Sequence, residues 1–314
     1  MYSIDMSSPP PSEIAPGLGL LVPVDFSAAS ARASRIAVSL AQKWAAQVTF
    51  VHVLAPLADE AEVLAFGSHF LAQRQTHTEV KLEAWRQTHA ADQQAACEIL
   101  HGRDFEEIVS CAAVRRVEMI IMARSGRSGI IEQLLGSTAE RVVRHAKCPV
   151  LVINDSDEAP LLEAGPLLLT TDFSPASRAA FPWAERFART FDAKITLANV
   201  QEPMGLPGTR EYARFYQEID ALRAQADAQI TALRDESLDA SLSGDAEVVE
   251  GTPHRAICRL ARRLKAALIV MSSHGRTGWQ RALIGSTAEL VVRHAPCAVL
   301  VIRGRDLPTN PDPE

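Results

Sequence analysis

The sequence predicts an α/β protein of two tandem, doubly wound domains, each built on a five-stranded parallel sheet. Three observations predict it. Short apolar runs alternate with helix-periodic stretches, the pattern of parallel strands joined by helical crossovers. The pattern occurs twice in the chain. And 314 residues are more than one hydrophobic core usually serves.

The duplication is legible residue by residue. "VPVDFSAAS" at Val22 recurs as "LTTDFSPAS" at Leu169, an offset of 147 between Asp25 and Asp172. The glycine loops and the final strands recur at an offset of 149, and Gly136–Ile153 matches Gly285–Ile302 at 15 of 18 positions. One folding unit copied in tandem gives such a near-constant spacing. The boundaries are then a disordered segment over 1–16, a first domain over 17–154, an acidic, proline-containing linker over 155–165, a second domain over 166–304 and a tail over 305–314.

The elements follow in order. "LGLLVPV" (Leu18–Val24) suits a fully buried strand. After it Ala33, Ile36, Ala37, Leu40, Ala41 and Trp44 recur at helical spacing, the stripe of a helix with one buried face. In the second copy Ser174 is a good N-cap and Pro175 fits the first helical position, while Pro182 falls inside the helix and predicts a kink. "VTFVHVL" and "ITLANV" are the second strands, and Asp59–Gln94 and Thr209–Leu238 read as long helices. Then come short strands ("ACEIL", "AEVVE"), glycine turns at Gly102 and Gly251, a helix, and the buried runs "VEMIIMA" and "AALIVMS". A loop leads to a last helix and a last strand, "CPVLVI" or "CAVLVI".

Composition narrows the function. A hydrophobic fraction of 47% and a charged fraction of 22% are those of a globular protein with apolar material for two substantial cores. The net charge of −6 and the aromatic fraction of 5% disfavour a nucleic-acid partner. No apolar run reaches a membrane span, and the start "MYSIDMSSPPPSEIAP" is not a signal peptide. Cys97, Cys111, Cys148, Cys258 and Cys297 form no CxxC pair and read as reduced core thiols, which suits the cytoplasm.

The chemistry concentrates after the fourth strand. Gly126 and Gly136, and again Gly275 and Gly285, are separated by nine residues and lead into "GSTAE". Ser137 with Glu140, and Ser286 with Glu289, read as capping boxes. The remaining amides and the positive end of the helix dipole suit a phosphate, with Arg127 and Arg276 adding charge at the rim. In such sheets ligands sit at the carboxyl ends of the strands where strand order reverses, which brings in Asp25 and Asp172. The structural alternative is that the glycines only turn the chain, and that Asp25 is a turn or capping carboxylate. His145 and His294, at helix ends, are without partners at metal-ligand spacing. His52 and His274 have no acid or nucleophile beside them in sequence, and no G-x-S-x-G elbow occurs.

Taken together, "DFS" after the first strand, "HV" (His52–Val53) after the second and the "HG-x9-GS" loop of the second copy resemble the universal stress protein family in tandem form. The resemblance covers about residues 17 to 304. It implies Rossmann-like domains paired through their final strands and, in one branch, ATP or a related adenine nucleotide held as a regulatory ligand. That branch carries G-x2-G-x9-G-[S/T]. Here Ala123 and Ser272 stand for its first glycine, followed by Gly126, Gly136, Ser137 and Thr138, or Gly275, Gly285, Ser286 and Thr287. Its adenine side falls on Pro23, Val24, Asp25 and Val53, and on Thr171, Asp172 and Val200, with Thr170 for proline and Asn199 for histidine. If the first-glycine position needs positive φ, a side chain there costs roughly 1–2 kcal/mol; if φ is negative, it costs little. A scaffold with decayed pockets and a weak ATPase are the alternatives. The tandem pair forms a pseudo-dimer within one chain or dimerises further.

Overall fold

The computed structural model describes residues 19–56, 60–91, 94–124, 136–154, 165–202, 212–273 and 285–303. The first half alternates strictly: β1 (Gly19–Pro23), α1 (Ala28–Trp44), β2 (Gln47–Leu54), α2 (Glu60–Ala90), β3 (Ala95–His101), α3 (Asp104–Val114), β4 (Met119–Ala123), α4 (Ser137–His145) and β5 (Val150–Ile153). The second half repeats it as β6 (Leu167–Thr170), α5 (Pro175–Arg178), α6 (Phe181–Phe191), β7 (Ile195–Gln201), α7 (Tyr212–Ser237) and β8 (Ser243–Glu250). It closes with α8 (Pro253–Leu264), β9 (Leu268–Ser272), α9 (Ser286–His294) and β10 (Ala298–Ile302). The N-terminal segment, most of the linker and the C-terminal tail expected from sequence lie outside the described residues.

Each half orders its strands 3-2-1-4-5 in parallel, and the halves join edge to edge. β5 and β10 run antiparallel, with Val152 opposite Val299, Leu151 opposite Leu300 and Val150 opposite Val301. The last strands of the two copies therefore close one ten-stranded sheet. A strand that would otherwise present unpaired amides is satisfied by its own duplicate.

The two cores are divided by sheet face, not by domain. Leu20, Val22, Phe50 and Ile121 share one core with Phe187, Ile195 and Leu300; Leu21, Ile120 and Val142 share the other with Ile269, Val291 and Val301. Side chains alternate across a strand, so a sheet covered on both faces needs a core on each. Because the sheet is continuous, both cores run through both halves.

The first helix forms as its stripe predicts. Ala33, Ala37, Leu40 and Ala41 are buried, and Ser27 caps the start by accepting from the Ser30 amide. In the second copy Ser174 caps α5 and Pro175 follows it, as expected. The predicted kink at Pro182 is a full break instead. Helix α5 stops at Arg178 and α6 restarts at Phe181, so Pro182 occupies the first turn of a new helix, where its missing N–H costs nothing.

Candidate functional site

In the order 3-2-1-4-5 the connections reverse direction between β1 and β4, and the candidate residues gather at the carboxyl ends flanking that point. Pro23 ends β1, Val24 and Asp25 follow it, Val53 lies near the end of β2, and Ala123 ends β4. The second half places Thr171 and Asp172 after β6, Val200 near the end of β7 and Ser272 at the end of β9. Gly126, Arg127, Gly275, Arg276 and His274 lie outside the described residues.

Asp25 builds the turn out of β1. Its Oδ1 accepts from the Ser27 amide at 3.0 Å and from Ser27 Oγ at 2.6 Å. Asp172 does the same with Ser174, at 3.0 and 2.6 Å. The turn reading of these carboxylates holds in both halves. Between acid and serine, Phe26 and Phe173 each take φ of 64°, a left-handed conformation that nothing in the sequence announced. Phe26 is held from above by His52 and Trp85, with ring centroids 4.7 and 5.6 Å away, and by Lys81 Nζ 4.2 Å over its face.

His52 fixes the same loop. Its Nδ1–H donates to the Val24 carbonyl at 2.6 Å. Asn199, its counterpart, donates from Nδ2 to the Thr171 carbonyl at 2.8 Å. The replacement of histidine by asparagine keeps the hydrogen bond. Thr171 also spends its hydroxyl on the fold: Oγ1 accepts from the Phe173 amide at 3.0 Å and lies 2.9 Å from Ser177 Oγ.

The capping boxes do not form. Gly136 and Gly285 are the N-caps of α4 and α9, with φ of −62° and no side-chain cap, and Ser137 and Ser286 are already helical. Each helix starts one residue earlier than the box requires, so Glu140 and Glu289, still in the first turn, stand one position beyond the place the box gives them. They pair instead across the junction of the halves. Arg144 reaches Glu140 at 2.9 Å and Glu289 at 3.1 Å, while Arg293 reaches Glu289 at 3.3 Å and Glu140 at 3.5 Å. Among the described residues no side chain caps the first-turn amides at Ser137, Thr138, Ser286 and Thr287.

The glycines hold these helix starts against the strand ends. The Gly136 amide donates to the Arg124 carbonyl at 2.9 Å, and the Gly285 amide to the Ser273 carbonyl at 2.7 Å. A Cβ on Gly285 would stand 3.1 Å from that carbonyl, so this glycine serves close approach rather than positive φ. The missing first glycine is resolved too. Ala123 and Ser272 are strand residues, paired with Ile153 and Ile302, and neither has positive φ. Their side chains cost no backbone strain.

The remaining candidates are structural. His145 stacks near Phe105 at 5.6 Å and His294 near His254 at 6.2 Å. His294 is held below its ordinary pKa by desolvation first, then by His254, Arg293, Arg124 and Arg262, which outweigh the helix dipole expected to favour its charge. All five cysteines are unbridged. Cys97 is exposed on β3, against the expectation of a core thiol, although burial of the sulfur still pushes it up to about 11. Burial also lifts Cys111, Cys148 and Cys258 to about 11 and Cys297 to about 12. At neutral pH these are thiols, not thiolate nucleophiles. Among the described residues no group of three or more His, Cys, Asp or Glu side chains could hold a metal, and no helix is long and apolar enough to cross a membrane.

The model of the universal stress protein family matches residues 20–154 and again 164–303. The chain belongs to the universal stress protein family. A member from Mycobacterium tuberculosis is 33% identical over 199 residues, which is 59% of this chain and 62% of that protein. The chain thus spans less than two thirds of that relative. A member from Mycolicibacterium smegmatis is 27% identical over 91% of this chain and 97% of its own. The crystal structure of a universal stress protein from Archaeoglobus fulgidus superposes with a TM-score of 0.64, at 21% identity, over 91% of this chain and 98% of that one. That likeness is one of fold.

Proposed function

We propose that each half of this universal stress protein binds ATP or a related adenine nucleotide as a regulatory ligand, phosphates at the start of α4 or α9 and adenine against the turn at Asp25 or Asp172. The observation that carries the reading is the pair of uncapped helix starts at the reversal point of the strand order. A helix that starts beside a strand end with no capping side chain among the described residues favours an anion through both the N–H groups and the dipole. Gly285, where a Cβ would crowd the Ser273 carbonyl, supports a closely approached backbone there. The negative φ at Ala123 and Ser272 removes the backbone argument for decayed pockets and leaves only the bulk of one small side chain. The five protonated thiols support a reducing, cytoplasmic setting.

Mass spectrometry of ligand released from purified protein, followed by calorimetry with ATP, tests the reading. Bound nucleotide, or heat saturating at up to two sites, supports it; neither signal rejects it and leaves a scaffold. Phosphate release above background, lost in Gly136→Val, is the result a weak ATPase would give.

A further inference from the structure

Helices α4 and α9, at whose starts the phosphates are proposed to sit, are short. Each has nine residues and buries three of them, Ala139, Val142 and Val143 or Ala288, Val291 and Val292. A helix of that length is not stable by itself in water, so the place of its first turn depends on what holds both of its ends. The front end is tied within its own half, by the Gly136 amide on the Arg124 carbonyl and the Gly285 amide on the Ser273 carbonyl. The rear end is tied across the junction of the halves.

Asn154 and Arg303 make that tie. They are counterparts at an offset of 149, each the first residue after the last strand of its half. Asn154 is buried, and its Nδ2 donates to the Ala295 carbonyl at 2.9 Å, just past the end of α9. Arg303 Nη1 donates to the His145 carbonyl at 3.4 Å and the Ala146 carbonyl at 3.2 Å, at the end of α4. One donor is a neutral amide and the other a guanidinium, yet both reach the last carbonyls of the opposite half's helix, groups that a helix leaves open. Helix α9 has two further donors: Arg124 of the first half to the Arg293 carbonyl at 3.5 Å, and Arg262 of its own half to the His294 carbonyl at 3.3 Å. The first turns are tied across as well. Glu140 meets Arg293 at 3.5 Å and Glu289 meets Arg144 at 3.1 Å, each besides the arginine of its own helix. A first-turn carboxylate repels a phosphate, and the opposite half supplies a cation to each of these two.

We infer that each half holds the other's phosphate site in position. Asn154, at the end of the first half, is a positioning residue for the site at the start of α9; Arg303, at the end of the second, is one for the site at the start of α4. This rests on the nucleotide reading above and goes further, since it assigns each site to both halves. The physical route is short. Without its rear cap the last turn of a nine-residue helix frays, and fraying weakens the dipole and loosens the first-turn amides that face the anion. Order that the cap provides beforehand is order that the ligand does not have to impose.

Hydrogen-exchange mass spectrometry of the full chain, titrated with ATP, tests the inference, because peptides from α4 and from α9 report the two helix starts separately. Asn154→Ala should raise the ATP concentration needed to protect α9 by about threefold to tenfold and leave α4 unchanged. Arg303→Ala should do the reverse. Asn154→Gln and Arg303→Lys, which keep a donor, should recover most of the loss. A fold damaged by the substitution would instead weaken both starts, or the start in the half that carries it. Either of those patterns, or an alanine variant that titrates like the wild type, would overturn the inference while the nucleotide reading stands. A wild-type chain with no ATP-dependent protection at either start would overturn the nucleotide reading, and this inference with it.

Discussion

Phe26 and Phe173 carry the cost of the site's geometry, since a left-handed φ on a bulky residue costs roughly 1–2 kcal/mol. What offsets it at Phe26 is packing against His52, Trp85 and Lys81. Phe26→Ala keeps the strain and loses the packing, whereas Phe26→Gly loses both. Glycine should therefore be the better substitute by about 1 kcal/mol in urea unfolding; alanine equal or better would show that the backbone is not strained. The latch on the loop gives a second test. His52→Asn imports the second half's solution and should be close to neutral, while His52→Ala strands the Val24 carbonyl and should cost about 1 kcal/mol in the same unfolding measurement. A third test concerns pH. His89, stacked 4.4 Å from Trp85, is held below its ordinary pKa by burial first and by Arg35 second. The unfolded chain then binds that proton more readily, at about 6.5, so stability should fall as pH drops through and below that value. His89→Gln should flatten the slope of unfolding free energy against pH in that window; an unchanged slope would remove His89 as its source.

The starts of α4 and α9 decide the functional reading at the level of the element. Sequence supplied the right residues for a capping box but not the helix start, and the structure begins each helix after a glycine. The reason is the bond from the glycine amide back to the strand end, which fixes where the chain turns upward. Gly136 has φ of −62°, so a side chain is compatible with its backbone. Gly136→Asp should add the missing cap and raise thermal stability by a few tenths of a kcal/mol. It should also put a carboxylate where phosphate is expected and weaken ATP binding by about tenfold or more. Opposite movements of melting temperature and affinity are the expected signature. Unchanged affinity would remove the helix start from the phosphate site.

Across the whole molecule, the junction of the halves is built from the β5–β10 pairing, the four-membered ion network, and reciprocal caps. Asn154 donates to the Ala295 carbonyl at 2.9 Å, and its counterpart Arg303 donates to Ala146 at 3.2 Å. Trp44 bridges the other face, its Nε1 donating to Thr190 Oγ1 at 2.8 Å. Residues 166–304 expressed alone should expose β10 as an apolar edge and self-associate through it. Ultracentrifugation of that half should show a dimer, and a stable monomer would mean that β10 does not need a partner strand.

Periodicity and duplication were enough to read the alternation of elements, the parallel halves, the buried stripe of α1 and the turn at Asp25, because each rests on local spacing or on a side chain reaching two residues along the chain. Tertiary structure alone decided the rest. The left-handed Phe26, the equivalence of His52 and Asn199, the glycine caps and the division of the core by sheet face all depend on atoms far apart in sequence. No local propensity encodes such contacts, since they exist only once neighbouring strands have set the distances.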